Sequence, residues 1–335
     1  MKTLENKTQG GIWRYAAFYP LFVPKKKQIS LGEGNTPLLE VPLSKICQSS
    51  LWIKREDFNP QGSHKDRALA FQVSYYGSQG YKRLAISSSG NGAISLSAYA
   101  QEAGIEALVF VHPQTPPYKL DRILSFQPHI IITEKAINFG RYVERRYGIP
   151  NLRPSTNEIA PIGYYSLALE IYESQVPMDS IFLFTTSGAT LIGLYEAFWK
   201  LKRDGKIKKL PAFHAVQAGG ITSIASAFEK NLEVEEEKED VKVPGFLGGP
   251  KTPRKEAVLE ALKTTGGRGW YLKSSEIEEG SKSLEDMGLH TSLEGVSAFQ
   301  CAIKALQIGI VERPLVIFTG KKEEEKQEGS IKDLP

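Results

Sequence analysis

Asn59-Pro60-Gln61-Gly62-Ser63-His64-Lys65-Asp66-Arg67 is the stretch on which the fold and the chemistry turn. Pro60 and Gly62 punctuate a turn. Ser63 followed by Asp66 has the spacing of a capping box, with Asp where Glu or Gln is usual, and predicts a helix over Ser63 to Tyr76. Lys65 then falls in the first turn, beside unpaired backbone N–H groups and the positive end of the helix dipole. That field disfavours an ammonium and favours the neutral amine, the form able to attack an aldehyde. Taken alone, the loop would also suit an ordinary solvated lysine at a helix start.

Outward from this loop the chain alternates short apolar runs with amphipathic stretches. Strands are expected at Leu51–Lys54, Leu84–Ser88, Leu108–Val111, Ile130–Thr133, Ile181–Phe184, Phe213–Gln217 and Leu315–Phe318. Helices are expected at Ala93–Ala103, about 117–126, about 136–147 and Leu191–Lys202. This alternation is the signature of an α/β protein with parallel sheets. Glu233–Lys242 is a charged run that suits a solvated loop or helix face, and Lys321–Pro335 a loose charged tail.

At 335 residues the chain is long enough for two joined domains, and 41% hydrophobic residues supply their cores. Two isolated cysteines, Cys47 and Cys301, make neither a metal cluster nor a disulfide framework. No apolar run is long enough for a membrane span, and the first residues lack the apolar stretch of a secretory signal. A soluble, cytoplasmic protein with no membrane partner is therefore expected. A net charge of +4 with interspersed signs gives no reason to expect a nucleic-acid partner, and suits a small anionic substrate.

Three more segments carry chemistry. Ser87-Ser88-Ser89-Gly90-Asn91-Gly92-Ala93 lies at a strand end and before a helix, where small residues let a flat ligand approach the backbone. Thr185-Thr186-Ser187-Gly188-Ala189-Thr190 follows a strand and precedes a helix, placing hydroxyls and unpaired N–H groups where an anion could bind. Thr319-Gly320 ends the last strand and puts a neutral hydroxyl at the same sheet edge.

The four segments, in this order, resemble the threonine synthases, pyridoxal 5′-phosphate (PLP) enzymes of the tryptophan-synthase-β fold type. Asn59, Pro60, Gly62, Ser63, Lys65, Asp66 and Arg67 match that family's lysine loop, with departures at Gln61 and Ala68. Gly32-Glu33-Gly34-Asn35-Thr36-Pro37-Leu38 is similar to its opening motif. The cup at 185–190 is also similar to that of cysteine synthase relatives. The resemblance implies two open twisted α/β domains with PLP in the cleft between them. Residues 1–78 and 168–322 would form the larger domain, 79–167 the smaller, and 323–335 a flexible tail.

The resemblance also implies roles. Lys65 would hold PLP as a Schiff base and shuttle protons. Asn91 would meet the 3′-oxygen of PLP, and Ser88, Ser89 and Gly92 the substrate carboxylate. Thr186, Ser187, Gly188, Ala189 and Thr190 would hold the PLP phosphate, and Thr319 the ring nitrogen. A hydroxyl at that nitrogen, rather than a carboxylate, favours elimination and replacement over transamination. Lys54, Arg67 and Asn157 are the candidates for the substrate's own anionic groups.

The reaction so implied converts O-phospho-L-homoserine and water to L-threonine and phosphate, in an enzyme that by family analogy forms homodimers. A serine/threonine dehydratase, a cysteine-synthase-like replacement enzyme and a non-catalytic PLP or amino-acid-binding relative are the alternatives. The chain departs from the family in three further places. No arginine follows Asn157, although Arg153 precedes it. Ser292-Leu293-Glu294-Gly295 replaces a Glu-Pro segment. Lys321-Lys322 replaces His-Gly-Leu-Lys-Asp.

Overall fold

The two central strands of the larger sheet, Ser180–Phe184 and Pro314–Phe318, are buried at every residue, which explains why both are apolar without alternation. The computed structural model describes residues 2–4, 11–43, 49–229 and 252–322. In chain order its strands are β1 (Lys2–Leu4), β2 (Leu38–Pro42), β3 (Ser50–Arg55), β4 (Arg83–Ser87), β5 (Glu106–Val111), β6 (His129–Ile132), β7 (Ser180–Phe184), β8 (Ala212–Ala218), β9 (Arg268–Leu272) and β10 (Pro314–Phe318). Seven of them form one sheet in the order β1-β2-β3-β10-β7-β8-β9, and β4-β5-β6 form another. β1, β2 and β3 pair antiparallel, and every other pairing is parallel.

Parallel neighbours require crossovers, and helices supply them. They are α1 (Lys65–Ser78), α2 (Asn91–Ala103), α3 (Pro117–Leu124), α4 (Ala136–Tyr147), α5 (Ala160–Gly163), α6 (Tyr165–Glu173), α7 (Ala189–Arg203), α8 (Lys255–Thr265), α9 (Ser274–Asp286) and α10 (Leu293–Gln307). α1 packs on α2 and so joins the two sheets. One apolar core runs beneath α1, α2, α6 and α7 and includes residues of both sheets. A second fills the opposite face of the larger sheet, against α9 and α10.

Each expected strand and helix is present, with ends shifted by a few residues. The helix after the lysine loop begins at Lys65 and not at Ser63. No capping box forms there. Ser63 Oγ donates to the Thr319 carbonyl at 3.1 Å and accepts the Lys65 N–H at 3.3 Å. Asp66 turns away from Ser63 and accepts from Gln61 N and Ser95 Oγ, each at 2.6 Å. Two of the competing partners, Thr319 and Ser95, lie far off in sequence, so local spacing could not reveal them. The expectations for Cys47, for Glu233–Lys242 and for 323–335 lie outside the described residues.

Candidate functional site at the strand ends

The carboxyl ends of the two sheets face one cavity of about 810 Å³. β3 leads through the lysine loop to Lys65, β4 to Ser87–Gly92, β7 to Thr185–Leu191, and β10 to Lys321. This is where open α/β sheets place ligands. A volume of this order can hold a cofactor together with a small substrate.

Lys65 opens α1 and is half-buried in the cavity wall. Burial pushes its ammonium down to about 8; Glu294 opposes this and Arg254 adds to it. The neutral amine is therefore far more populated near neutral pH than in an ordinary lysine. Lys65 Nζ lies 2.8 Å from His64 Nε2. On the other side of the ring, His64 Nδ1 lies 2.7 Å from the Thr319 carbonyl oxygen. Burial holds the imidazole well below its usual range, with help from the Lys65 charge, so the ring is neutral.

Asn91 begins α2, and Ser88, Ser89 and Gly92 line the cavity beside it. Ser89 Oγ accepts from His112 N at 3.0 Å, which ties this turn to the end of β5. Across the cavity stands the cup of Thr186, Ser187, Gly188, Ala189 and Thr190. It opens α7, where Ala189 N donates to Ser187 Oγ at 3.4 Å and the N-cap residue, Gly188, has no side chain to cap the helix. Gly188 has φ +82°, and a Cβ there would meet Val258 at 2.6 Å, so the tight turn requires glycine.

Thr319 is buried behind the lysine loop and is not among the residues that line the cavity. Its carbonyl accepts from His64 N, from His64 Nδ1 and from Ser63 Oγ, which fastens the loop to the end of β10.

Lys54 and Arg67 are not free to meet a substrate, and this corrects the expectation for both. Each is buried below the cavity, in a cluster with Glu56 and Glu170. The guanidinium of Arg67 grips both oxygens of Glu56, at 2.6 and 2.8 Å, and both oxygens of Glu170, at 2.8 Å each. Lys54 Nζ donates to Glu170 Oε2 at 2.8 Å and to the Thr36 carbonyl at 2.6 Å. Asn59 Nδ2 and Thr36 Oγ1 donate to Glu56. Gly34, at φ +91°, lies so close that a Cβ would sit 2.9 Å from Glu170. The opening motif and the lysine loop thus converge on one ion cluster that supports Lys65 from beneath.

Asn157 also lies outside the cavity lining. Its Nδ2 donates to Tyr76 Oη and to the Asn151 carbonyl, and its Oδ1 accepts from Ile159 N. Four residues earlier, Arg153 does reach the cavity wall. Lys119, Lys135 and Lys321 line it as well, against the carboxylates of Glu134 and Glu294. Sequence spacing did not single out Lys119, Lys135 or Glu134, because loops from different strands bring them together. Arg254 donates to the carbonyls of Pro154, Ser155 and Asn157, which fixes the segment that carries Arg153.

These residues fit PLP. An amine of lowered basicity, the Asn91 amide and a hydroxyl-lined helix start stand around one cavity. When bound, PLP supplies an electron sink for charge developing at the α-carbon of an amino acid.

Comparison with known proteins agrees. The profile of a family described as "Pyridoxal-phosphate dependent enzyme" matches residues 29–320. A threonine synthase of Methanocaldococcus jannaschii is 26% identical over 321 residues, 92% of this chain and 78% of that protein. One from a Bacillus species is 27% identical over 330 residues, 93% of this chain and 89% of that protein. Among solved structures, maize serine racemase superposes with a TM-score of 0.69 at 16% identity, covering 87% of this chain and 89% of that one. O-ureido-L-serine synthase does so with a TM-score of 0.68 at 16% identity, covering 90% of this chain and 92% of that one. At that identity the two structures speak for the fold alone.

Proposed function

We propose a threonine synthase-type reaction for this chain, which belongs to the pyridoxal-phosphate-dependent enzyme family. In this reading O-phospho-L-homoserine loses phosphate and gains water to give L-threonine. Arg153 carries the choice of a phosphorylated substrate. It is half-buried in the cavity wall, and no carboxylate or carbonyl among the described residues bonds its guanidinium. Burial and the neighbouring Arg141 both disfavour its charge. A half-buried cation in that position is poorly matched unless an anion arrives. A phosphate monoester supplies one, with geometry suited to a guanidinium. Serine or threonine would leave it unmatched. The curated relatives are named threonine synthase, which supports the same product.

The roles follow from position. Lys65 anchors the cofactor and takes and returns protons at Nζ. Asn91 faces the cofactor ring, and Thr186 to Thr190 take its phosphate. Thr319, which the family resemblance pairs with the ring nitrogen, lies outside the cavity lining, and its hydroxyl would have to turn inward to meet that atom. Ser88, Ser89 and Gly92 receive the substrate carboxylate, and Arg153 with Lys119 or Lys135 its phosphate. On this reading residues 79–167 form the smaller domain, 1–78 with 168–322 the larger, and the cleft between them holds the chemistry.

The deciding experiment supplies O-phosphohomoserine to the PLP-loaded protein and measures phosphate and threonine together. Equal amounts of both are expected. Ammonia from serine or threonine, with no phosphate from O-phosphohomoserine, would overturn the proposal in favour of a dehydratase.

A further inference from the structure

The two nitrogens of His64 have different partners, and the partners fix the tautomer. Nδ1 lies 2.7 Å from the Thr319 carbonyl oxygen, which can only accept. Nδ1 therefore carries the proton. The ring is neutral, so Nε2 is left with a bare lone pair. That lone pair lies 2.8 Å from Lys65 Nζ. The arrangement has little freedom. The Thr319 carbonyl also accepts from His64 N at 3.0 Å, which pins the residue at both backbone and ring. The Tyr164 ring lies over the imidazole, with centroids 5.5 Å apart and planes tilted by 32°.

We propose that His64 is a positioning residue for Lys65, its Nε2 lone pair serving as the docking point of the lysine amine whenever that amine is not bonded to the cofactor. A neutral amine that donates one N–H to Nε2 has its own lone pair turned away from the ring. Once the amine has taken a proton, the same contact becomes a charge-assisted bond and strengthens. His64 thus makes Lys65 a stronger base than its burial alone allows. Glu294, from the start of α10, acts in the same direction, and Arg254, just before α8, against it. Arg67 and Tyr164 face His64 itself, and the Arg67 charge helps to keep the ring neutral. The inference rests on the cofactor half of the functional reading, and holds for whichever amino acid is the substrate.

The test uses the full-length protein freed of cofactor. Nitrogen-15 spectra of its histidines, with His64 assigned by its loss in His64→Phe, should show a protonated Nδ1 and an unprotonated Nε2. The rate at which Lys65 captures added PLP, followed by the absorbance of the lysine-bound cofactor, should rise with pH through a midpoint near 8. In His64→Phe, which retains a ring against Tyr164, the midpoint should fall by about one pH unit as the acceptor is lost. In His64→Gln, whose side-chain oxygen can take the place of Nε2, it should return towards the wild-type value. A protonated Nε2, or a His64→Phe midpoint equal to that of the wild type, would overturn the proposal. If the wild type captured no PLP, the cofactor reading would fail instead, and the nitrogen-15 spectrum would still decide the tautomer and with it the docking point.

Discussion

Arg67 Nη2 lies 2.8 Å from Glu170 Oε2, and both side chains are shut off from solvent. The contact joins the first turns of α1 to α6, and through Glu56 and Lys54 it extends to the end of β3. Removing Arg67 would strand two carboxylates in the interior. Arg67→Met should cost about 3–5 kcal/mol, the scale for breaking a buried pair from one side. Arg67→Lys should recover only part of that, because an ammonium cannot grip two carboxylates as a fork. Urea unfolding of the three proteins measures both differences.

The same cluster sets the acid limit of the fold. Burial resists ionisation of Glu56 and Glu170, but Arg67 and Lys54 outweigh it and hold both carboxylates below their ordinary range. Their folded pKa values lie below the unfolded ones. Their contribution is therefore complete above about pH 4.5 and is lost as pH falls further. The midpoint of urea unfolding should drop steeply below that pH, and should drop much less in Arg67→Met.

Asp66 behaves in the opposite sense. Burial pushes its carboxyl up to about 7 despite the bond from Ser95. A folded pKa above the unfolded one gives stability that is complete below about pH 4 and is lost as pH rises through about 7. Asp66→Asn keeps an acceptor for Gln61 N and a partner for Ser95. It should match the wild type at about pH 4 and be the more stable of the two at pH 8. Equal thermal midpoints at pH 8 would show that Asp66 titrates normally.

At the cavity wall, Arg153→Met should raise KM for O-phosphohomoserine about 10- to 100-fold, the cost of one charge-assisted contact. Absorbance of the bound cofactor should not change, because on the proposed reading Arg153 meets the substrate and not the cofactor. Steady-state phosphate release gives both constants. An unaltered KM would remove Arg153 from the phosphate site.

Gly188→Ala tests the cup. A Cβ at φ +82° is strained and would meet Val258 at 2.6 Å. The substitution should cost about 1–3 kcal/mol of stability. It should also weaken PLP retention, because the first N–H groups of α7 would be displaced. Equilibrium dialysis against PLP reads the second effect separately from the first.

The strand-helix alternation was legible because central parallel strands are uniformly apolar, as Ile181–Phe184 and Leu315–Phe318 show. Lys65, Asn91 and the 186–190 cup were legible for a related reason, since each follows a strand end and opens a helix. Lys54 and Arg67 misled because proximity to Lys65 in sequence says nothing about which face of an element a side chain takes. Arg67 follows Lys65 by two residues on a helix, which turns it to a different side. His64 and Arg153 needed three dimensions. The chemistry of one depends on a carbonyl 255 residues away, and that of the other on loops from two strands.

The ion cluster of Lys54, Glu56, Arg67 and Glu170 bears on the lysine loop and has no side chain in the cavity wall. Foundation and selectivity are thereby decoupled. On the proposed reading, exchanging Lys135 or Arg153 would retune which amino acid is accepted without touching this cluster. The scaffold beneath Lys65 offers no such latitude. A mutagenesis library aimed at new substrates belongs on the wall built by the loops after β5 and β6, and on Arg153 to Ser155.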